Sequence, residues 1–413
     1  MIRLDAVLTT PPRTLPLCFA AAFALAGCAG GPGRPGPAAA ALPAAILAVP
    51  DAAPTGRADF PRPDLVLAMV DGAALPARVW LPPPGTATRR VILALHGFND
   101  SRDAWALPAP AFAAAGFAVV APDQRGFGAT ASRGRWPGAA ALVADARVAV
   151  RALHARFPAL PVTVIGESMG GAVALLLAAT PAPAFASTPA SANAGPGIPG
   201  AAAPGGPASG SVLPDDAVDS TVLLAPAVWD RAQIGPMLTA SLWVAATLAP
   251  AHEITGRELP LRVAASDNRD ALLALIRDPL TIRATRLDVL AGLVDIMDRA
   301  ATAAPRVRGP VLILDGGRDQ LVPPAATAAT WAALPASARR GFYLGGYHLL
   351  LRDRDRALPT ADIVAWLDHP QAWLPSGADA AAGAWLATHA WADEPSPLLP
   401  AGLDALAGDD PRS

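Results

Sequence analysis

A serine hydroxyl becomes a useful nucleophile when a sharp turn exposes it, a base takes its proton and backbone donors receive the oxyanion. Ser168 is placed for that chemistry. It stands in Gly166-Glu167-Ser168-Met169-Gly170, between the β-branched run Val162-Thr163-Val164-Ile165 and a helix-forming run from Gly171 to Ala179. In a strand-turn-helix context this is the pattern of a nucleophile elbow. The glycines fit it, because a Cβ at Gly166 or Gly170 would crowd the neighbouring strand and the turn.

In elbow folds the acid and then the histidine follow the serine along the chain, and both are present. Val311-Leu312-Ile313-Leu314 reads as a buried strand, and the loop after it carries Asp315 and Asp319. Asp319 is the expected acid, since it lies past two glycines where its side chain can turn towards a base; Asp315 ends the strand and is expected to brace the loop. Gly341-Phe342-Tyr343-Leu344 reads as the last strand, and Gly345-Gly346-Tyr347-His348 follows it. His348 is the expected general base, with Asp319 fixing its tautomer. The other histidines are misplaced: His96 and His154 precede the serine, His252 falls in a helical insertion, and His369 and His389 lie near the carboxyl end.

Two amides must receive the oxyanion, one from the residue after the nucleophile and one from a loop after an earlier strand. Met169 supplies the first. Val91-Ile92-Leu93-Ala94-Leu95 suits a doubly buried strand and runs into His96-Gly97-Phe98-Asn99, so the Phe98 amide is the expected second donor. His96 is read as a loop brace.

These motifs, with Asp123-Gln124-Arg125-Gly126-Phe127-Gly128, Leu224-Ala225-Pro226 and Gly316 to Pro323, resemble the α/β-hydrolase superfamily. Within it the chain is similar to the monoacylglycerol lipase and lysophospholipase group, also classed with serine aminopeptidases. The resemblance runs from about Leu65 to Asp368, and Asp278-Pro279-Leu280 matches a recurring element of the group. It implies a mostly parallel sheet flanked by helices, with a helical cap between strands six and seven. Glu167 departs from the group, whose members often carry His there, and is read as a buried brace.

The elements that must position these residues follow from periodicity and turn chemistry. Leu65 to Leu81 reads as a hairpin turning at Asp71-Gly72, and parts of Asp103 to Ala115 read as a helix before the strand Phe117 to Ala121. A helix around Ala139 to Phe157 places Leu142, Ala146, Ala149 and Leu153 on one face. Alternating strands and helices give an α/β fold with helices on both faces of the sheet. The hydrolase domain is expected over 64–368, with a low-complexity insert at 181–214, a cap at 227–306 and a tail at 369–413. Within the cap, Ile234 to Ala249 is nearly free of charge, and Leu238, Leu242 and Trp243 are expected to line an acyl groove.

The amino terminus speaks to location. Arg3 and Arg13 flank a polar start, and Leu15 to Ala24 is an apolar stretch too short to cross a bilayer as a helix. Leu25-Ala26-Gly27-Cys28 resembles a bacterial lipobox, which implies a signal peptide over 1–27 and lipidation of Cys28. Residues 28–63, rich in Ala, Pro and Gly, read as a disordered tether from the membrane. Ala29 after the cysteine resembles an outer-membrane sorting pattern, so the expected location is the bacterial envelope, anchored in the outer membrane and facing the periplasm.

The 2 cysteines, Cys18 and Cys28, leave no disulfide within a processed monomer. A net charge of −2 suggests no basic face for nucleic acid. Scattered histidines, without H-E-x-x-H or paired-cysteine spacing, give no support for a metal, and no cofactor is called for. Oligomeric state is not legible.

The expected function is therefore hydrolysis of carboxylic esters, of monoacylglycerols or lysophospholipids, through Ser168, Asp319 and His348. An aminopeptidase or amidase with the same three residues is the alternative; it needs an acidic clamp for an amine, for which Glu253 and Glu258 are candidates. A non-catalytic binding lipoprotein is the other. A dehalogenase or epoxide hydrolase fits less well, since such relatives carry Asp at the position of Ser168.

Overall fold

The computed structural model describes residues 47–48, 60–180, 217–255 and 263–388. The signal peptide, Cys28, nearly all of the proposed tether, the 181–214 insert, Glu258 and the chain beyond 388 lie outside the described residues. In chain order the strands are β1 (Leu47–Ala48), β2 (Leu65–Ala68), β3 (Ala74–Trp80), β4 (Arg90–Leu95), β5 (Phe117–Pro122), β6 (Val162–Glu167), β7 (Ser220–Leu224), β8 (Glu253–Thr255), β9 (Ala284–Arg286), β10 (Val311–Gly316) and β11 (Arg339–Tyr343). The helices are α1 (Ala109–Ala114), α2 (Ala139–Arg156), α3 (Met169–Ala179), α4 (Arg231–Ile234), α5 (Pro236–Leu248), α6 (Arg269–Arg277), α7 (Leu287–Ala303), α8 (Pro324–Ala333), α9 (Ala357–Asp368) and α10 (Ala378–Thr388).

The apolar runs make the centre of one sheet in the order β1-β2-β3-β5-β4-β6-β7-β10-β11. From β5 to β11 every pairing is parallel, and β1, β2 and β3 add an antiparallel edge. Parallel strands covered on both faces should be apolar along their whole length, and β5, β6, β7 and β10 are buried at every residue. Two cores result. Leu93, Leu95, Val164, Leu223 and Ile313 pack under α2, α3 and α7, whereas Ile92, Ile165, Val222 and Leu314 pack with Phe112, Ile363 and Trp366 of α1 and α9. The expected hairpin forms, with Gly72 at φ +83° and Asp71 Oδ1 accepting from the Ala73 amide at 3.1 Å.

Three boundaries differ from their sequence reading. Residues 369–388 belong to the domain: α10 lies on β11, burying Ala378 and Ala382 and stacking Trp385 on Phe342 at 4.8 Å. The Leu47–Ala48 pair, inside the proposed tether, extends the sheet edge against β2. Finally, α7, placed in the cap, covers the sheet through α3, with Val289, Ile296 and Ala300 buried. Gly292 of α7 is required by close approach, since a Cβ there would fall 2.3 Å from the Trp136 ring. The segment between β7 and α7 holds α4, α5, α6 and the small antiparallel pair β8-β9.

Candidate active site

The end of β6 turns into α3 at Ser168, whose φ of 54° and ψ of −116° are rarely adopted by a non-glycine residue. The turn is over-determined by its neighbours. The Ser168 amide donates to Leu224 O at 2.9 Å, and its carbonyl accepts from the Ala172 and Ala227 amides at 3.0 and 2.9 Å. A Cβ at Gly166 would sit 2.1 Å from Gly170 O, and one at Gly170 would sit 2.3 Å from Leu95 O. The expected crowding at both glycines is thus observed.

His348 follows β11 on a loop that meets the loop after β10. The Gly317 amide donates to Tyr343 O and the Arg318 amide to Gly346 O, both at 2.8 Å. Gly316 permits this approach, because a Cβ there would lie 2.4 Å from Gly346 O. Asp319 Oδ2 then accepts from His348 Nδ1 at 2.8 Å, while its Oδ1 accepts the Leu321 and Val322 amides at 2.7 and 3.1 Å. With Nδ1 carrying the proton, Nε2 is left as the basic nitrogen. Burial alone would lower the imidazole pKa, but the charge and hydrogen bond of Asp319, with the charges of Glu167 and Asp315, overcome it and raise it. Asp315 braces helix α8 rather than its own loop: it is buried, accepts from Trp331 Nε1 at 2.8 Å and is pushed up to about 7 by burial.

Ser168, His348, Phe98 and Glu167 border one cavity of about 560 Å³. Among the described residues no hydrogen bond joins the Ser168 hydroxyl to His348; such contacts often tighten only around substrate. The loop carrying Phe98 lies against the elbow, as a Cβ at Gly97 would be 3.4 Å from Ser168 Cβ. The Phe98 and Met169 amides donate to no acceptor among the described residues, and Met169 opens α3, where a first-turn amide has no partner within the helix.

His96 braces this loop from within. Its Nε2 accepts from the Gln124 amide at 2.9 Å and its Nδ1 donates to Gly97 O at 2.8 Å, so it is a neutral imidazole committed at both nitrogens. The Asp123 to Gly128 stretch supports it, Gln124 Nε2 donating to His96 O at 2.6 Å. Asn99, at φ 60°, binds the loop to the segment above: its carbonyl accepts from the Ile282 amide at 2.8 Å and its Nδ2 donates to Thr285 Oγ1 at 2.6 Å.

Most of the remaining cavity wall is apolar: Trp229, Ile234, Leu238 and Leu242 on one side, Leu290, Leu293, Val294 and Met297 of α7 on another. Leu238 and Leu242, read in the sequence as lining a groove, do border this cavity. Trp243 does not; it is 67% exposed on the outer face of α5, beside Arg231, Pro236 and Ala291. Glu253 is exposed on β8 and does not border the cavity.

Two residues that sequence reasoning missed border the cavity as well. Arg352, buried, donates from Nη2 to Asp100 Oδ2 at 2.6 Å and to Glu167 Oε1. Glu167 is thus the buried brace expected of it, but its partner gave no local signal. Among the described residues no group of three or more His, Cys, Asp or Glu is arranged to hold a metal ion.

The chain matches the family described as serine aminopeptidase S33 over residues 86–199 and 208–355, more than half of its length. It is similar to a monoacylglycerol lipase of Mycolicibacterium smegmatis, 25% identical over 304 residues that cover 72% of this chain and 94% of the relative. Among solved structures it is similar to a monoacylglycerol lipase of Paleococcus ferrophilus, with a TM-score of 0.52 and 21% identity over 71% of this chain and 98% of the other. It is also similar to a monoglyceride lipase of Saccharomyces cerevisiae, with a TM-score of 0.56 and 17% identity over 72% and 92% of the two chains. The two structural likenesses establish the α/β-hydrolase fold.

Proposed function

We infer that this chain, which belongs to the serine aminopeptidase S33 family, is a serine ester hydrolase acting on single-chain lipids such as monoacylglycerols or lysophospholipids. Ser168 Oγ attacks the ester carbonyl as His348 Nε2 takes its proton, and the Phe98 and Met169 amides receive the oxyanion. The proton passes from His348 to the leaving alcohol. Water, activated by the same base, opens the acyl-enzyme. Asp319 keeps the imidazole in the working tautomer throughout.

One observation carries the choice of ester: the cavity that Ser168 and His348 share is walled by aliphatic side chains from α5 and α7. The two carboxylates that border it, Asp100 and Glu167, are both committed to Arg352. Neither is free to clamp a substrate amine, and Glu253 lies elsewhere. An acyl chain gains about 0.8 kcal/mol for each methylene taken into such a wall.

Leu242→Asp or Leu238→Asp is therefore expected to lower kcat/KM on a dodecanoyl ester by about two orders of magnitude, while an acetyl ester is cleaved at close to the wild-type rate. Trp243→Asp, on the outer face, should alter neither. Equal losses on both esters at an unchanged melting temperature would place the acyl site elsewhere. Faster turnover of aminoacyl amides than of any ester by the wild type would move the assignment to an aminopeptidase.

The enzyme is further proposed to be held at the bacterial envelope by acyl chains on Cys28, a reading supported by the Leu25-Ala26-Gly27-Cys28 pattern. A diacylated or triacylated cysteine anchors stably where a single chain does not. Native protein should partition into detergent and carry lipid at Cys28 by intact-mass analysis, and Cys28→Ser should not. An unmodified Cys28 in the native host would end this reading.

A further inference from the structure

Arg352 sits four positions beyond His348, at the end of a short 3-10 turn, with 5% of its surface exposed. Its two carboxylate partners lie 252 and 185 residues away in the chain. Asp100 closes the loop that carries Phe98: its amide donates to Gly97 O at 3.4 Å and its Oδ1 accepts from the Ser101 amide at 2.8 Å. Glu167 is the last residue of β6, next to Ser168. One guanidinium nitrogen thus joins the oxyanion loop, the elbow and the histidine segment.

We propose that Arg352 is a positioning residue for ester hydrolysis, holding the Phe98 loop and the Ser168 elbow in register with the His348 segment and balancing the carboxylates beneath the nucleophile. This rests on the reading of Ser168 and His348 as nucleophile and base. The chain builds the arrangement at a cost. Two buried carboxylates share one cation, and among the described residues Arg352 Nε has no hydrogen-bond partner. Burial of such groups is unfavourable unless they are paired, and a hydrophobic trio would fill the space without that cost. What an apolar trio could not supply is directed bonds to three segments whose relative placement must hold to within about 1 Å for full rate.

The charges make a second, independent difference. The groups facing His348 are Asp319 and Asp315 from the β10 loop and Glu167 from the elbow, with Arg352 and Asp100 joined behind Glu167. Each carboxylate favours the imidazolium. Glu167→Gln removes one negative charge and should move the acid limb of kcat/KM to lower pH; Arg352→Gln leaves two carboxylates without their cation and should move it to higher pH. A role in stability alone produces no such pair of opposite shifts.

The test uses purified full-length variants on an acetyl p-nitrophenyl ester, with active sites counted by fluorophosphonate titration so that unfolded protein does not enter kcat. Arg352→Lys, which keeps the charge and loses the directed bonds, is expected to cost about a hundredfold in kcat per titrated site with KM near wild type. Arg352→Gln should cost more. Arg339→Lys, at a partly buried pair 3.1 Å from Asp379 and far from the cavity, should lower the melting temperature without changing kcat per site. If Arg352→Gln does not fold, Arg352→Lys and Glu167→Gln still decide. Wild-type kcat per site in Arg352→Lys, or an unmoved acid limb in Glu167→Gln, overturns the proposal. Full turnover by Ser168→Ala would instead overturn the reading on which it rests.

Discussion

Ser168→Ala is expected to lose about six orders of magnitude in kcat on a short p-nitrophenyl ester, the scale of removing the nucleophile from a unit of three cooperating groups. Its melting temperature should stay within about 2 °C of wild type, for reasons visible in the elbow. The bonds that pin the turn run through the Ser168 amide and carbonyl, to Leu224, Ala172 and Ala227, and alanine keeps all of them. Alanine also bears the same backbone strain at φ 54° in the folded state, so the substitution neither adds nor relieves it. Residual turnover within tenfold of wild type would show that the hydroxyl is not the nucleophile.

Asp319→Asn is expected to cost about four orders of magnitude in kcat, because an amide in place of the carboxylate can turn its NH2 to His348 and leave the proton on the wrong nitrogen. Asp315→Asn, only four residues away, should retain most activity. Its carboxyl accepts its hydrogen bond from Trp331 Nε1 and none from the imidazole, and burial holds its pKa up at about 7. The sign for stability follows from that value. A carboxyl whose folded pKa lies above its unfolded value of about 3.9 binds its proton more tightly when folded, so stability is greatest at low pH and is lost as pH rises through the folded pKa. Wild type should therefore lose melting temperature as pH rises from about 4, where the unfolded carboxyl ionises, to about 7, where the folded one does, and Asp315→Asn should lose less. The Asp319→Asn variant should also show its acid limb at lower pH, since the carboxylate that raises His348 is gone. A dead Asp315→Asn beside a near-normal Asp319→Asn would exchange the two assignments.

The parts of the site that were legible in the sequence are those whose signals are local. Gly166 and Gly170 mark the elbow because both flank Ser168 in the sequence, although Gly166 is crowded by Gly170 itself and Gly170 by Leu95 of the neighbouring strand. Asp319 and His348 each follow a strand in the expected order along the chain, and their 2.8 Å bond follows from neighbouring parallel strands β10 and β11.

What was not legible depends on contacts distant in sequence or on faces without a period. Arg352 sits in Leu350-Leu351-Arg352-Asp353, a stretch that reads as an ordinary turn, and its partners come from the loop after β4 and the end of β6. Helix α5 is apolar all round, so periodicity could not tell the cavity-facing Leu238 and Leu242 from the outward Trp243. Helix α10 is mostly alanine, which hid its packing; Trp385 meets Trp331 at 5.1 Å and Phe342 at 4.8 Å. The α7 segment carried a clear amphipathic pattern, but pattern alone does not say that the buried face meets α3 and the other borders the cavity.

The central claim is that Ser168 is the residue that bonds to the acyl group, and the most direct measurement is the site of covalent attachment. Wild-type protein treated with a fluorophosphonate, digested and sequenced by tandem mass spectrometry should carry one adduct, on the peptide containing Gly166 to Gly170, at Ser168. Labelling should be blocked by prior incubation with a long-chain monoacylglycerol analogue and absent from Ser168→Ala. An adduct on any other serine, or undiminished labelling of the alanine variant, would contradict the account.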